Sequence, residues 1–188
     1  MENQTPNLGI EMPDPKTILL SRVREFTQSI KLTRDAGYDL SSRILMFAAI
    51  DMFGSFLRPV NEADTNGGHF KRWVSDYMIP GSGLPLTADD LWAARCGLLH
   101  THTASSKLSR EGDAVEIHYY KGIPNEAWEH AFRSIATQRK QFINLDRLNE
   151  AFERGIGNFL DDIQRNPELE KRVLHHCSRV LGHWKKET

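Results

Sequence analysis

The 188-residue chain has little of several features that would narrow its function. It contains two cysteines, Cys96 and Cys177, without the Cys-x-x-Cys spacing of zinc sites and redox motifs. We therefore expect neither a disulfide framework nor a thiolate zinc site. An excess of charge of one sign is also missing, because 24 Lys and Arg face 25 Asp and Glu, for a net charge of −1. No overall positive field would attract duplex DNA, so we expect no such partner.

Long apolar runs are missing as well. The longest, residues 44–57, is interrupted by Asp51 and Ser55 and is too short to cross a membrane. The N-terminal residues do not show a basic segment followed by an apolar one, so no secretory signal is expected. We predict a cytoplasmic protein without membrane association. Residues 1–13 are predicted to form a flexible arm.

Helical periodicity is what the chain does have. The pair Asp14-Pro15 combines an N-cap residue with proline at the first helical position, which predicts a helix over 15–34. Further helices are predicted from apolar spacing and capping residues over 40–57, 69–78, 87–102, 145–164 and 167–184. The helix over 40–57 is apolar on nearly all sides, so we expect it to be the central one.

Residues 105–144 interrupt this helical pattern. The β-branched and aromatic run at 115–120 predicts a strand, and 141–144 predicts a possible second one. The sequence therefore predicts a mainly α fold, an antiparallel helical bundle. It forms a single domain over 14–188, with a β-containing insertion at about 105–144.

The helix predicted over 87–102 carries the candidate site. At about 100° per residue, Arg95 falls in the middle of the apolar arc, between Leu98 and Leu99. Burying its guanidinium costs roughly several kcal/mol unless the charge is paired. Asp51 is the only charged residue in the apolar run 44–57 and is the obvious partner. The alternative is that this face of the helix opens onto an anion.

His100 lies on another side of the same helix, beside the small residues Ala93, Cys96 and Gly97. A mid-helix glycine costs about 1 kcal/mol relative to alanine, so we expect another backbone or a substrate to approach closely here. On an ideal helix Arg95 and His100 are about 140° apart, so the two side chains are not expected to converge within one chain.

The histidines of the chain could also suggest a metal site. His100 and His102, like His175 and His176, lack the i, i+4 spacing that helical metal ligands normally use. We therefore expect no metal and no cofactor. A metal-dependent hydrolase using His100, His102 and a distant histidine stays open as a weaker alternative.

The run Arg95-Cys-Gly-Leu-Leu-His100 resembles the Arg-x4-6-His motif of the HEPN superfamily of small helical bundles. The pattern around it is similar too, since an apolar helix precedes the motif helix, which opens with Thr-Ala-Asp-Asp. The similarity covers about 15–104 and 145–184. It implies a HEPN-like bundle acting as a metal-independent endoribonuclease, in a homodimer whose two motifs line one cleft.

The resemblance also assigns roles. It implies that Arg95 binds the phosphate and that His100 is the general acid/base, supported by Asp51, Cys96 and His102. Histidine suits either proton transfer, and arginine can hold the charge of a pentacoordinate phosphate. The first-turn acids Asp89 and Asp90 could share the orienting role of Asp51.

The chain departs from the pattern at one place. Members that cleave RNA often carry a polar residue, commonly Asn, after the arginine, and this chain has Cys96. The alternative function is therefore a catalytically silent HEPN-like module that binds a protein partner or a nucleotide. The resemblance gives toxin–antitoxin or defence systems as the usual setting for either function.

Overall fold

The computed structural model describes residues 14–123, 126–135 and 139–179. The arm predicted at 1–13 lies outside these ranges. The helices are α1 (Pro15–Asp35), α2 (Asp39–Ser55), α3 (Gly67–Trp73), α4 (Ala88–Thr101), α5 (Lys107–Glu111), α6 (Glu126–Ile135), α7 (Leu145–Arg165) and α8 (Pro167–Cys177). The strands are β1 (Glu116–Tyr120) and β2 (Lys140–Asn144), and a π-helical turn (Val74–Met78) extends α3. The prediction of a mainly α fold with a small β-containing insertion is confirmed. Among the described residues, no helix is both long and apolar enough to cross a membrane.

Helix α2 lies at the centre, as its all-round apolar sequence predicts. Phe47, Ile50 and Phe53 are fully buried, and α2 packs against α1, α3 and α4. The ring of Phe53 stacks on Trp73 at a centroid distance of 5.6 Å, and Trp73 also contacts Phe159 of α7. Aromatic packing of this kind adds to the stabilisation from area burial alone. Trp73 of α3 therefore links the ring of Phe53 on α2 to that of Phe159 on α7 at the centre of the core.

The start of α4 is fixed by a capping box. Thr87 Oγ1 accepts a hydrogen bond from the Asp90 backbone N–H at 3.2 Å, and Asp90 Oδ2 accepts one from the Thr87 N–H at 2.8 Å. The other carboxylate oxygen of Asp90 accepts from the Val115 N–H at 2.8 Å. The same side chain thus caps α4 and ties it to the residue before β1.

The insertion forms a parallel pair of strands, with Glu116 opposite Lys140 and Tyr120 opposite Asn144. Parallel strands need a crossover connection, and α6 lies between them in the chain. The sequence predicted both strands but not α6. On one face Phe142 stacks between His118 and Phe132 of α6, at 5.4 and 4.4 Å. Ile117 and Ile143 are buried in the main core, which holds the insertion against the helices.

Candidate site at the contact of helices α2 and α4

Helices α2 and α4 bring Asp51 and Arg95 together, as the sequence predicted. Arg95 Nε and Nη2 both donate to Asp51 Oδ2, at 3.0 and 2.8 Å. The side chains keep 20% exposure for Arg95 and 31% for Asp51, so the ion pair is only partly buried. The carboxylate neutralises the guanidinium on one edge, and the solvent-accessible part of the pair can still meet a ligand.

The third nitrogen of the guanidinium faces His100. Arg95 Nη1 lies 3.4 Å from His100 Nε2, and the His100 residue is exposed. Because a guanidinium only donates hydrogen bonds, His100 Nε2 is the acceptor in this contact. The expectation that the two side chains do not converge is wrong. The helical angle describes the direction in which each side chain leaves the backbone, and the long arginine side chain bridges that difference.

Trp92 completes what we call the Arg95 cluster, which consists of Asp51, Trp92, Arg95 and His100. The Arg95 guanidinium carbon lies 5.1 Å from the centroid of the Trp92 ring, within the range of a cation–π interaction. A Cβ atom at Gly67 would lie 2.7 Å from that ring, so the glycine leaves the space that the indole occupies. Sequence reasoning missed this role of Trp92. Its signal was the i, i+3 spacing to Arg95, which places both on one helix face.

Gly97 has the close approach that its position predicted. A Cβ atom there would lie 2.7 Å from the Thr103 carbonyl oxygen and 3.0 Å from that of Ser105. The approaching group is therefore the chain's own backbone. His102 makes this return possible because it ends α4 at a φ of 53°, a left-handed conformation unusual for a residue other than glycine. In this structure His102 serves α4 as its C-cap.

The remaining predicted residues take other positions. Cys96 is a half-buried free thiol on α4. Asp89 binds Lys71 at 3.0 Å, and Asp90 is used by the capping box and Val115. Of the three acids considered, Asp51 alone contacts Arg95, so the idea that Asp89 or Asp90 orients the arginine is wrong.

A metal-binding arrangement was the weaker alternative. Within the part of the chain that the structure describes, no three His, Cys, Asp or Glu side chains lie together as metal ligands would. His175 and His176 lie side by side with ring centroids 5.2 Å apart, and His176 Nε2 is 3.0 Å from the Arg58 carbonyl oxygen. This pair belongs to the packing of α8.

Comparison with models of known protein families, with curated proteins and with solved structures finds no match. What the structure defines is a mainly helical fold with a parallel β–α–β insertion. Its candidate site is the Arg95 cluster, in which Arg95 is paired with Asp51 and also contacts the exposed His100.

Proposed function

We propose that this protein is a metal-independent endoribonuclease of the HEPN type, with Arg95 and His100 at its active site. The observation that supports this most is the 3.4 Å contact between Arg95 Nη1 and His100 Nε2 beside solvent. An RNA phosphate needs a cationic donor close to a group that transfers protons, and these two side chains provide both.

The chemistry follows from the residue types. The neutral His100 ring takes the proton of an RNA 2′-hydroxyl, whose oxygen forms a bond to the adjacent phosphorus. The bond from phosphorus to the 5′-oxygen then breaks, and that oxygen receives a proton from a second imidazole, which a second copy of the chain would supply. Arg95 stabilises the extra negative charge of the intermediate phosphate. Asp51 holds two of the guanidinium nitrogens, which leaves Nη1 directed towards His100.

A second copy of the chain would complete the site. One imidazole cannot be base and acid at the same moment, and the Arg95 cluster contains one histidine among the described residues. A two-fold homodimer supplies a second Arg95 and a second His100, and this symmetry is the commonest in soluble oligomers. The homodimer, the cytoplasmic location and a toxin–antitoxin or defence role are parts of this proposal.

Cleavage of a mixed single-stranded RNA in excess chelator tests the proposal. We expect the wild type to leave 2′,3′-cyclic phosphate and 5′-hydroxyl ends, and His100→Ala to reduce the rate by about 100-fold or more. His130→Ala is the matched control, because His130 is an exposed histidine on α6 outside the cluster. Equal rates in His100→Ala and the wild type would contradict the assignment, and loss of cleavage in chelator would contradict the metal-independent mechanism.

The second candidate is the catalytically silent module, which binds a nucleotide or a protein partner. The observation in its favour is that Arg95 Nε and Nη2 are both occupied by Asp51, so a phosphate must compete with a carboxylate. It predicts no cleavage by the wild type. It also predicts that labelled RNA or nucleotide binds with an affinity that Arg95→Met weakens and His100→Ala leaves unchanged.

A further inference from the structure

A cavity of about 240 Å³ lies between α2, α4 and β1, on the face of α4 adjoining the Arg95 cluster. Its volume is many times what a single water molecule needs. One part of its wall is apolar and consists of Leu40, Ala94, Leu98 and Ile117. The exposed residues His102 and Thr103 also line it, which makes it reachable from solvent. We call it the Arg43 cavity after the cation in its wall.

Arg43 has no carboxylate partner within 4.0 Å in the described ranges 14–123, 126–135 and 139–179. Its guanidinium carbon lies 4.6 Å from the centroid of the Tyr119 ring, which belongs to the same cavity wall. Asp39, one helical turn before it, is instead bound by Lys121. The Arg43 Nε atom is buried and makes no hydrogen bond with any described residue. This cation is held by a ring face, and its buried Nε donor is unpaired among the described residues.

Tyr119 gives the same wall a second unused polar atom. Its hydroxyl is buried and finds no hydrogen-bond partner among the described residues. Burial raises the pKa of Tyr119 above its ordinary value, so the hydroxyl stays protonated and can donate. Buried polar atoms are nearly always hydrogen-bonded, so two unpaired donors on residues of one cavity wall favour a partner from outside the described residues.

We propose that the Arg43 cavity binds a small organic anion, a carboxylate or phosphate group on a small apolar body. The residues that line the cavity include the cation Arg43 and no acid, so its wall favours negative charge. A guanidinium stacked on a ring keeps its edge free, and that edge matches carboxylate and phosphate oxygens. The apolar wall would cover the rest of the ligand.

The size of the cavity limits the ligand. It is smaller than the roughly 300–1,000 Å³ typical of pockets for drug-sized molecules, so a nucleic acid strand would not enter it. The assignment does not depend on ribonuclease activity, because Arg43 and Tyr119 belong to α2 and β1 and not to the Arg95 cluster.

Calorimetric titration of the full chain tests the assignment with four probes: benzoate, phenyl phosphate, inorganic phosphate and neutral benzyl alcohol. We expect saturable binding of benzoate or phenyl phosphate at millimolar concentration, and none of benzyl alcohol. Of the two organic anions, the one that binds more tightly identifies the head group as a carboxylate or a phosphate. If inorganic phosphate binds as tightly as phenyl phosphate, the apolar wall does not contribute and the proposal of an organic ligand is overturned. If no anion shows saturable binding, the proposal of an anion site is overturned.

Variants decide whether binding occurs in this cavity. Arg43→Gln is expected to lower the affinity for the more tightly bound anion by about tenfold, the loss expected for a charged hydrogen bond. Arg154→Gln is the matched control, since Arg154 is exposed on α7. This variant should bind the anion with the same affinity as the wild type. Tyr119→Phe keeps the ring under Arg43 and removes only the hydroxyl, so the fold should persist while affinity falls. Equal affinity in Arg43→Gln and Arg154→Gln, or an unchanged affinity in Tyr119→Phe, would overturn the proposal.

Discussion

Helices α4 and α7 obey the rules of helix packing to different degrees. The buried residues of α7 recur at helical spacing from Leu145 to Ile163, and its charged residues lie mostly outside this stripe. In α4, by contrast, the carboxylate of Asp90 is buried, Arg95 lies in the apolar arc, and Gly97 faces a returning backbone. Helix α7 is explained largely by core packing, although Asn149 is a polar residue inside its buried stripe. The local exceptions in α4 each have a specific partner, and such exceptions are expected where a protein carries its function.

The largest expected difference between the two helices concerns their first-turn acids. Asp90 is 6% exposed and accepts three hydrogen bonds, from Thr87 N, Thr87 Oγ1 and Val115 N. Asp90→Ala should lower the free energy of unfolding by about 3 kcal/mol, because a buried network loses its acceptor. Urea unfolding measures this. Asp146→Ala, at the exposed first turn of α7, is the control and should cost about 0.3–1 kcal/mol. Equal losses would show that the capping box contributes no more than an ordinary helix start.

Glycines on the two helices give the next largest difference. Gly97→Ala places a Cβ atom 2.7 Å from the Thr103 carbonyl oxygen, which forces the turn after α4 to move. We expect a loss of about 2 kcal/mol in the free energy of unfolding. Gly157→Ala on α7 meets nothing within 4 Å and should raise it by about 0.5–1 kcal/mol, because alanine is the better helix former. Gains in both variants by the same urea measurement would contradict the close approach at Gly97.

The parts of α4 and α7 that the sequence predicts are those set by periodicity and local chemistry. Apolar spacing predicted α7 over 145–164, and the structure has Leu145–Arg165. A lone acid in an apolar run and an arginine in an apolar arc were enough to predict the Asp51–Arg95 pair. Both signals are local or rest on one unusual charge.

Features that depend on side-chain rotamers, on contacts outside any motif or on a misread segment were not predictable in this way. The Arg43–Tyr119 contact joins α2 to β1, and neither residue belongs to a motif. The convergence of Arg95 and His100 was missed because it depends on side-chain rotamers, which an ideal helix angle leaves out. The crossover helix α6 was missed because its pattern lies inside a segment interpreted as β-containing.

Ion pairs provide a smaller difference between the helices. Asp51→Ala removes the acid that binds the part-buried Arg95 and should lower the free energy of unfolding by about 1–2 kcal/mol, a value reduced by the exposure of both side chains. Glu153→Ala on α7, whose pair with Arg34 is longer at 3.7 Å and whose side chain is 58% exposed, should change it by less than about 0.5 kcal/mol. Thermal unfolding of both variants, together with Arg95→Met and the double variant Asp51→Ala/Arg95→Met, measures this. If the double variant loses as much as the sum of the single losses, the pair contributes no coupling.

The smallest expected effect concerns a histidine of α8, which packs against α7. His176 is 2% exposed, with Nε2 at 3.0 Å from the Arg58 carbonyl oxygen and no hydrogen-bond partner at Nδ1 among the described residues. Burial lowers the pKa of His176, because a charged ring there would lose its hydration. Below the unfolded-state pKa of about 6.5, the unfolded chain therefore binds a proton that the folded chain does not. The stabilisation is fully present above that pH and is lost as the pH falls towards the lower folded-state pKa.

His176→Gln tests this linkage, because a glutamine amide can still donate to the Arg58 carbonyl oxygen and does not titrate. Urea unfolding from about pH 8 to about pH 5 should show stability falling with pH more steeply in the wild type than in the variant. Parallel pH profiles for the two proteins would contradict a proton uptake by His176 on unfolding. A steeper profile in the wild type would show that burial against α7 suppresses the charge of His176, a constraint that the exposed His100 at the end of α4 does not have.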